Sequence, residues 1–367
     1  MIRALRTIDW TSLLIIMPLL LAGLFTMKSF GGENASDYFF WRQIIWLALG
    51  LGVCIIFSQI DWRFFYSSGF LIVFYAVGLL VLVSLFLANE TSWFQFSFFA
   101  IQPSEFMKLI VVLLLAKYFS RRHIEITQFR HVLISGLYAA IPAFLVLMQP
   151  DFGSAIIFFI IWLGMVISSG IPFRYLALVL GVAVIMFVVV WMLVLAPYQK
   201  DRILTFVNPY LDPQGAGYHI LQTQIAVGSG QMFGQGVGYG IQSRLKFLPE
   251  HETDFIFAAF AEEWGFAGAL LLIAFFIILI WRLLGPARAS SDNFIRLFSI
   301  GLSLIVISHF IVHVGMNVGL LPITGLPLSF VSYGGSHLLM LFLALGIWMN
   351  MRQSRRTQVS GDEIDVS

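Results

Sequence analysis

Residues 254–282 read DFIFAAFAEEWGFAGALLLIAFFIILIWR, with the carboxylates Asp254, Glu262 and Glu263 at the front and no charge from Trp264 to Trp281. A helix needs about 20 mostly apolar residues to cross the hydrocarbon of a bilayer. This stretch is therefore predicted to be a membrane helix with an acidic start at one surface and Arg282 at the other.

The rest of the chain agrees. Of its 367 residues, 59% are apolar and 11% charged, whereas a soluble domain carries about 25% charged residues. A single soluble core is excluded. Segments at about 10–27, 43–60, 65–88, 104–120, 132–148, 154–170, 175–196, 254–282, 294–320 and 335–351 have the length and composition of spans. The first follows Arg3 and Arg6 like a signal peptide, but it ends without a small-residue cleavage site. The predicted fold is an all-α polytopic membrane protein of about ten transmembrane helices. Residues 1–353 form one transmembrane domain, and the polar stretch 354–367 is predicted to be a disordered cytoplasmic tail.

Lys and Arg orient it. Arg3, Arg6, Arg63, Arg121, Arg122, Arg130, Arg174, Arg282, Arg288, Arg296 and Arg352 fall on one side, which places both termini in the cytoplasm. The connections at 89–103, 149–153 and 321–334 hold no Lys or Arg, while Lys28 and Arg42 are mild exceptions. Between helices 7 and 8 lies one large extracytoplasmic loop, 197–253, in which Ile203–Val207 and Ile220–Val227 are predicted as short interfacial helices.

Ionisable groups beside spans are costly and mark candidate sites. Glu105 and Lys108 stand three apart on a helix begun by Pro103 and Ser104, either as a neutralised structural pair or lining a polar cavity. Asp151 either caps the sixth helix or faces the same cavity. Asp254 sits where loop meets membrane; it either caps the eighth helix, together with Thr253, or serves as a partly desolvated general base. Glu262 and Glu263 lie two turns deeper, and adjacent residues diverge by about 100°, so at most one can face the same cavity as Asp254. The glycines and prolines of 319–336 predict a re-entrant, non-helical segment beside a site.

Other features read as structural. Gly234–Gly240 imitates a nucleotide loop but follows no strand, so it is read as a flexible turn. His309 and His313 share a helix face without a third metal ligand, and interhelical hydrogen bonding explains them better. Cys54, the lone cysteine, reads as core packing. A formal charge of +2 gives no reason to expect nucleic acid.

These pieces together resemble the SEDS family (shape, elongation, division and sporulation) of bacterial cell-wall polymerases. The matching motifs are IQPSEFMKL at 101–109, QPDFGSA at 149–155, NPYLDPQGAGYHILQTQIAVGSG at 208–230, FLPEHETDFIFA at 247–258, EEWG at 262–265 and GLLPITGLPLSFVSYGG at 319–335. Ile323-Thr324-Gly325 and the approach 242–247 resemble the rod-elongation branch more than the division branch. Glu252, Trp264 and His337 depart from the family pattern, and none of them removes a carboxylate.

The resemblance implies a multi-pass peptidoglycan glycosyltransferase of the bacterial cytoplasmic (inner) membrane. It would polymerise lipid II at the outer face, among membrane lipids, with a class B penicillin-binding protein as partner. It aligns Asp254 with an essential aspartate, and Glu105, Lys108 and Asp151 with polar cavity residues. Arg244, Lys246, Glu250, Ser332 and Tyr333 complete the candidate substrate-binding set.

Asp254 would activate a sugar hydroxyl, and Lys108 is expected to be the best-placed cation for a departing diphosphate, with Arg202, Arg244 and Lys246 as further candidates. No organic cofactor is expected. A divalent cation, Mg2+ or Mn2+, fits the diphosphate, although the sequence shows no metal cage. The competing readings are a flippase for the lipid-linked precursor and a non-catalytic scaffold for a penicillin-binding protein.

Overall fold

The computed structural model describes residues 8–29, 38–88, 92–95, 99–122, 129–193, 197–212, 215–245, 247–248, 250 and 252–364. Long helices occupy every apolar segment named above: α1 (Trp10–Ser29), α2 (Tyr38–Gln59), α3 (Ser68–Leu87), α4 (Pro103–Arg121), α5 (Phe129–Met148), α6 (Phe152–Ser168), α7 (Phe173–Leu193), α8 (Ile256–Leu283), α9 (Asn293–Asn317) and α10 (Gly335–Ile364). Among the described residues, six helices are long and apolar enough to cross a membrane: α1, α2, α3, α5, α8 and α9. The chain is a multi-pass membrane protein. Ile203–Val207 and Ile220–Val227 lie within the helices Pro197–Val207 and Ala216–Ser229 of the long loop.

Two features depart from the expectation. Phe94–Gln95 pairs antiparallel with Ala100–Ile101, a two-residue ribbon leading into α4. Helix α10 also continues to Ile364, through the stretch expected to be a disordered tail. No proline interrupts 335–364, and its Arg and Gln are good helix formers.

The centre of the bundle is α4 and α9. Within the most apolar part of each helix, 67% of α9 is buried against 17% of α3. Lipid is as apolar as Leu, so close packing at small residues must hold such helices together. Gly301 of α9 brings its backbone against Val112 of α4 and Met165 of α6, and Gly50 of α2 receives the Phe342 ring of α10. Cys54 is core, its Sγ 4.0 Å from Met349 Sδ.

Helix α8 fixes two ends. Arg282, at its close, reaches Asp9 (Nη2–Oδ1 2.8 Å), and Arg352 of α10 pairs with the same carboxylate. This arginine-rich end is the one the charge bias assigns to the cytoplasm. The start of α8, with Asp254, lies at the other.

Inside α8 the helix breaks at Gly265 (φ 68°, ψ −169°), a left-handed conformation that glycine adopts without strain. The break frees main-chain groups, and the glycine-rich turn supplies their partners. Gln235 N donates to Glu262 O (2.9 Å) and Gly236 N to Glu263 O (3.1 Å). Phe266 N donates to Gln231 O (2.8 Å) and Ala267 N to Met232 O (3.0 Å). The carboxylates add to this seam: Glu262 accepts from Gln242 N (2.8 Å) and Ser243 Oγ (2.8 Å), and Glu263 accepts from Gly238 N (2.9 Å). Both are buried and fasten the long loop to α8.

Candidate active site

The turn before α8 is built on Glu250, whose positive φ (47°) aims its carbonyl at three successive amides. Thr253 N, Asp254 N and Phe255 N donate to it at 3.1, 3.0 and 3.3 Å. Phe255 occupies the capping position of α8, and no side chain of the turn caps it. Asn317, at the end of α9, does that work from a distance. Its Oδ1 accepts from Ala258 N (3.1 Å) and its Nδ2 donates to Asp254 O (3.0 Å). The half-buried carboxylate of Asp254 is thus not engaged as the cap.

Residues 318–334 form the irregular segment predicted from their glycines and prolines, and Leu326, Leu328, Ser329, Phe330 and Val331 are buried. Non-helical backbone is tolerated at such depth only when protein satisfies it. Ser332 Oγ donates to Thr253 O (2.8 Å) and accepts from Leu328 N (2.8 Å), while Tyr333 N donates to Glu252 O (2.9 Å). These bonds stitch the segment to the turn that carries Asp254. Gly325 is exposed there, and a Cβ on it would stand 3.6 Å from Asp254 Oδ2.

Asp151 makes the cap geometry expected of it: Ser154 N donates to its Oδ1 (2.9 Å) and Gln102 Nε2 to its Oδ2 (2.8 Å). Burial pushes its carboxyl above the usual range, and the Ser154 bonds oppose that rise. Gly153, next along, lets α6 approach Thr324 and Leu326, where a Cβ would come 2.7 Å from Thr324 O.

Lys108 and Glu105 form a fully buried pair, Nζ–Oε1 2.6 Å, with side chains 0% and 1% exposed. This corrects the expectation that Lys108 meets a diphosphate: α9 and α10 close over it, and its ammonium is spent on Glu105 and on His309 Nε2 (3.1 Å). Ser332 is likewise used in stitching and 4% exposed, so it does not line an open cleft. Tyr333 is half-buried against Phe39, their rings 5.0 Å apart. Glu250 and Arg244 are exposed. Lys246 lies outside the described residues, as does the side chain of Arg202.

The histidines acquire partners that the sequence did not show. His313 Nδ1 donates to Leu326 O (2.7 Å), and His309 Nδ1 to Pro327 O (3.0 Å). His337, noticed only as a departure from a motif, bridges Glu105 Oε2 (2.7 Å) and Ser329 Oγ (3.0 Å). The donor atoms of Glu105, His309 and His337 lie within 4.8 Å of one another. That trio does not fit a dication, because the Lys108 ammonium already supplies the local positive charge.

Comparison with known proteins adds the following. The model of the cell cycle protein family of FtsW, RodA and SpoVE matches residues 5–357. The peptidoglycan glycosyltransferase MrdB of Escherichia coli (strain K12) is 35% identical over 352 residues, covering 95% of this chain and 94% of that protein. A probable peptidoglycan glycosyltransferase FtsW of Pseudomonas fluorescens (strain SBW25) is 35% identical over 378 residues, covering 98% and 91%. A solved chain, from work on the structural coordination of polymerization and crosslinking by a peptidoglycan synthase complex, superposes with a TM-score of 0.79. It is 27% identical, with 95% of this chain and 98% of that one covered.

Proposed function

The chain belongs to the FtsW, RodA and SpoVE family of cell cycle proteins, and from that premise we propose that it is a peptidoglycan glycosyltransferase that polymerises lipid II during cell elongation. It works in the bacterial cytoplasmic membrane, crossing it ten times through α1–α10, with the Asp254 end outside and both termini inside. A class B penicillin-binding protein crosslinks the strands it makes.

The observation that carries the assignment is the setting of Asp254. Asn317 and Glu250 O meet the main-chain needs of the turn, and the half-buried carboxylate stands beside exposed Gly325, where a Cβ would lie 3.6 Å from its Oδ2. A sugar 4-hydroxyl attacks the anomeric carbon of the lipid-linked donor while Asp254 accepts its proton. The new C–O bond forms with inversion as the bond to the diphosphate breaks, its electron pair leaving with the phosphate oxygen. General-base help of this kind contributes about 10²–10⁴-fold. The diphosphate departs without needing an acid, and exposed Arg244, with Lys246 beside it in sequence, supplies positive charge. A divalent cation held by Asp254 or Glu250 would add charge neutralisation there.

The test is lipid II polymerisation by purified wild type and Asp254→Asn, with the partner's own glycosyl transfer excluded and divalent metal present or chelated. With folding of the variant confirmed by its melt, it should lose at least about 10²-fold in rate. A folded, fully active Asp254→Asn refutes the base assignment. A wild type that makes no strands with its partner present refutes the activity.

A further inference from the structure

The three histidines around Leu326–Ser329 play no part in the mechanism above, yet their hydrogen bonds can be assigned proton by proton. A carbonyl only accepts, so the Nδ1 atoms of His309 and His313 carry hydrogen toward Pro327 O and Leu326 O. An ammonium only donates, so His309 Nε2, 3.1 Å from Lys108 Nζ, is bare. His309 is therefore the neutral Nδ1–H tautomer. Glu105 accepts from Lys108 and from His337 Nδ1, which gives His337 the same proton position. Glu105 and Lys108 cancel in charge. A neutral His337 that accepts the Ser329 hydroxyl at Nε2 keeps the wholly buried cluster uncharged, the arrangement such a site favours.

We propose that His309, His313 and His337 are positioning residues for the general base. They capture Leu326 O, Pro327 O and the Ser329 side chain, and so hold Gly325 against the Asp254 carboxylate. Leu326 and Pro327 follow Gly325 directly, and main chain buried off any helix has to find such partners. Without them the wall beside Asp254 shifts, and misplacement of about 1 Å costs ~10²-fold in rate. The inference rests on the assignment of Asp254 as the base.

The experiment compares wild type, His313→Phe, His313→Asn and Asp254→Asn, each full-length in lipid nanodiscs with the partner enzyme. Phe keeps ring volume and loses the donor; the Asn amide nitrogen takes the place of Nδ1. We expect His313→Phe to lower kcat by about 10- to 10²-fold with KM within about twofold, and His313→Asn to recover most of it. Nitrogen NMR of 15N-histidine-labelled wild type should report Nδ1–H tautomers at His309, His313 and His337, a readout independent of whether any variant folds.

Wild-type kcat in His313→Phe, a loss that Asn does not restore, or an Nε2–H tautomer at His309 overturns the positioning role. Inactive Asp254→Asn beside fully active His313→Phe sinks this inference alone. Fully active Asp254→Asn sinks the base assignment and this inference with it.

Discussion

Replacing Glu105 with Gln should destabilise the protein by about 3–5 kcal/mol, and adding Lys108→Met in the same chain should return much of that loss. The two charges are 2.6 Å apart with side chains 0% and 1% exposed. Coulomb's law at that distance, with an effective dielectric of about 20, gives roughly 6 kcal/mol as an upper limit. Gln preserves the shape, so packing changes little, but its single oxygen can accept from Lys108 or from His337 Nδ1 and not from both; what disappears is the charge that balances a buried ammonium, together with one of those bonds. Met then fills the volume of the lysine stem without a charge. It leaves His309 Nε2 without its donor, worth roughly 1–3 kcal/mol, so recovery is partial and the double variant should settle about that far below wild type. Denaturant unfolding in mild detergent, read by tryptophan fluorescence, measures the order. A double variant as unstable as the sum of the two singles would refute the argument. So would a loss below about 1 kcal/mol for Glu105→Gln, because that is how a hydrated surface pair behaves.

Three other outcomes follow from the same geometry. Asn317→Ala removes the remote cap of α8 and should cost about 1–2 kcal/mol in the melt while also lowering polymerisation, since its amide holds Asp254 O. Gly265→Ala places a side chain at φ 68° against the main chain of Phe233 and Gly234 and should be strongly destabilising, whereas Gly285→Ala, with open space around it, should melt within about 0.5 kcal/mol of wild type. Glu262→Ala releases Gln242 N, Ser243 N and Ser243 Oγ; limited proteolysis should then cut between residues 230 and 245 faster than in wild type.

The elements were legible because apolar run length survives without knowledge of any neighbour. Within the site, what could be read was local. Three-residue spacing placed Glu105 beside Lys108, and Asp151 stood where an Asp begins a helix. What escaped depended on irregular main chain. The spacing of His309 and His313 puts them on one face, but their acceptors, Pro327 O and Leu326 O, lie in a segment with no period to extrapolate. Spacing left Lys108 either paired or lining a cavity; its sealing is the work of α9 and α10, which no local pattern contains. Gly265 was hidden because a single glycine in an apolar run is ordinarily tolerated, and only the loop bonded to it shows the break.

The choice of histidine as the clamp has a chemical consequence for the neighbouring carboxylate. The carbonyls of Leu326 and Pro327 need donors, and Arg or Lys could have supplied them. A cation within about 4–6 Å of a carboxylate stabilises its ionised form and lowers its pKa by 1–3 units, which weakens it as a base for a hydroxyl. Neutral Nδ1–H imidazoles hold the same carbonyls without that field. The strong cation that does lie behind the segment, Lys108, is paired at 2.6 Å with Glu105, whose opposite charge offsets its field. Under the proposed mechanism the buried polar cluster holds the irregular wall in place without adding a net charge beside Asp254.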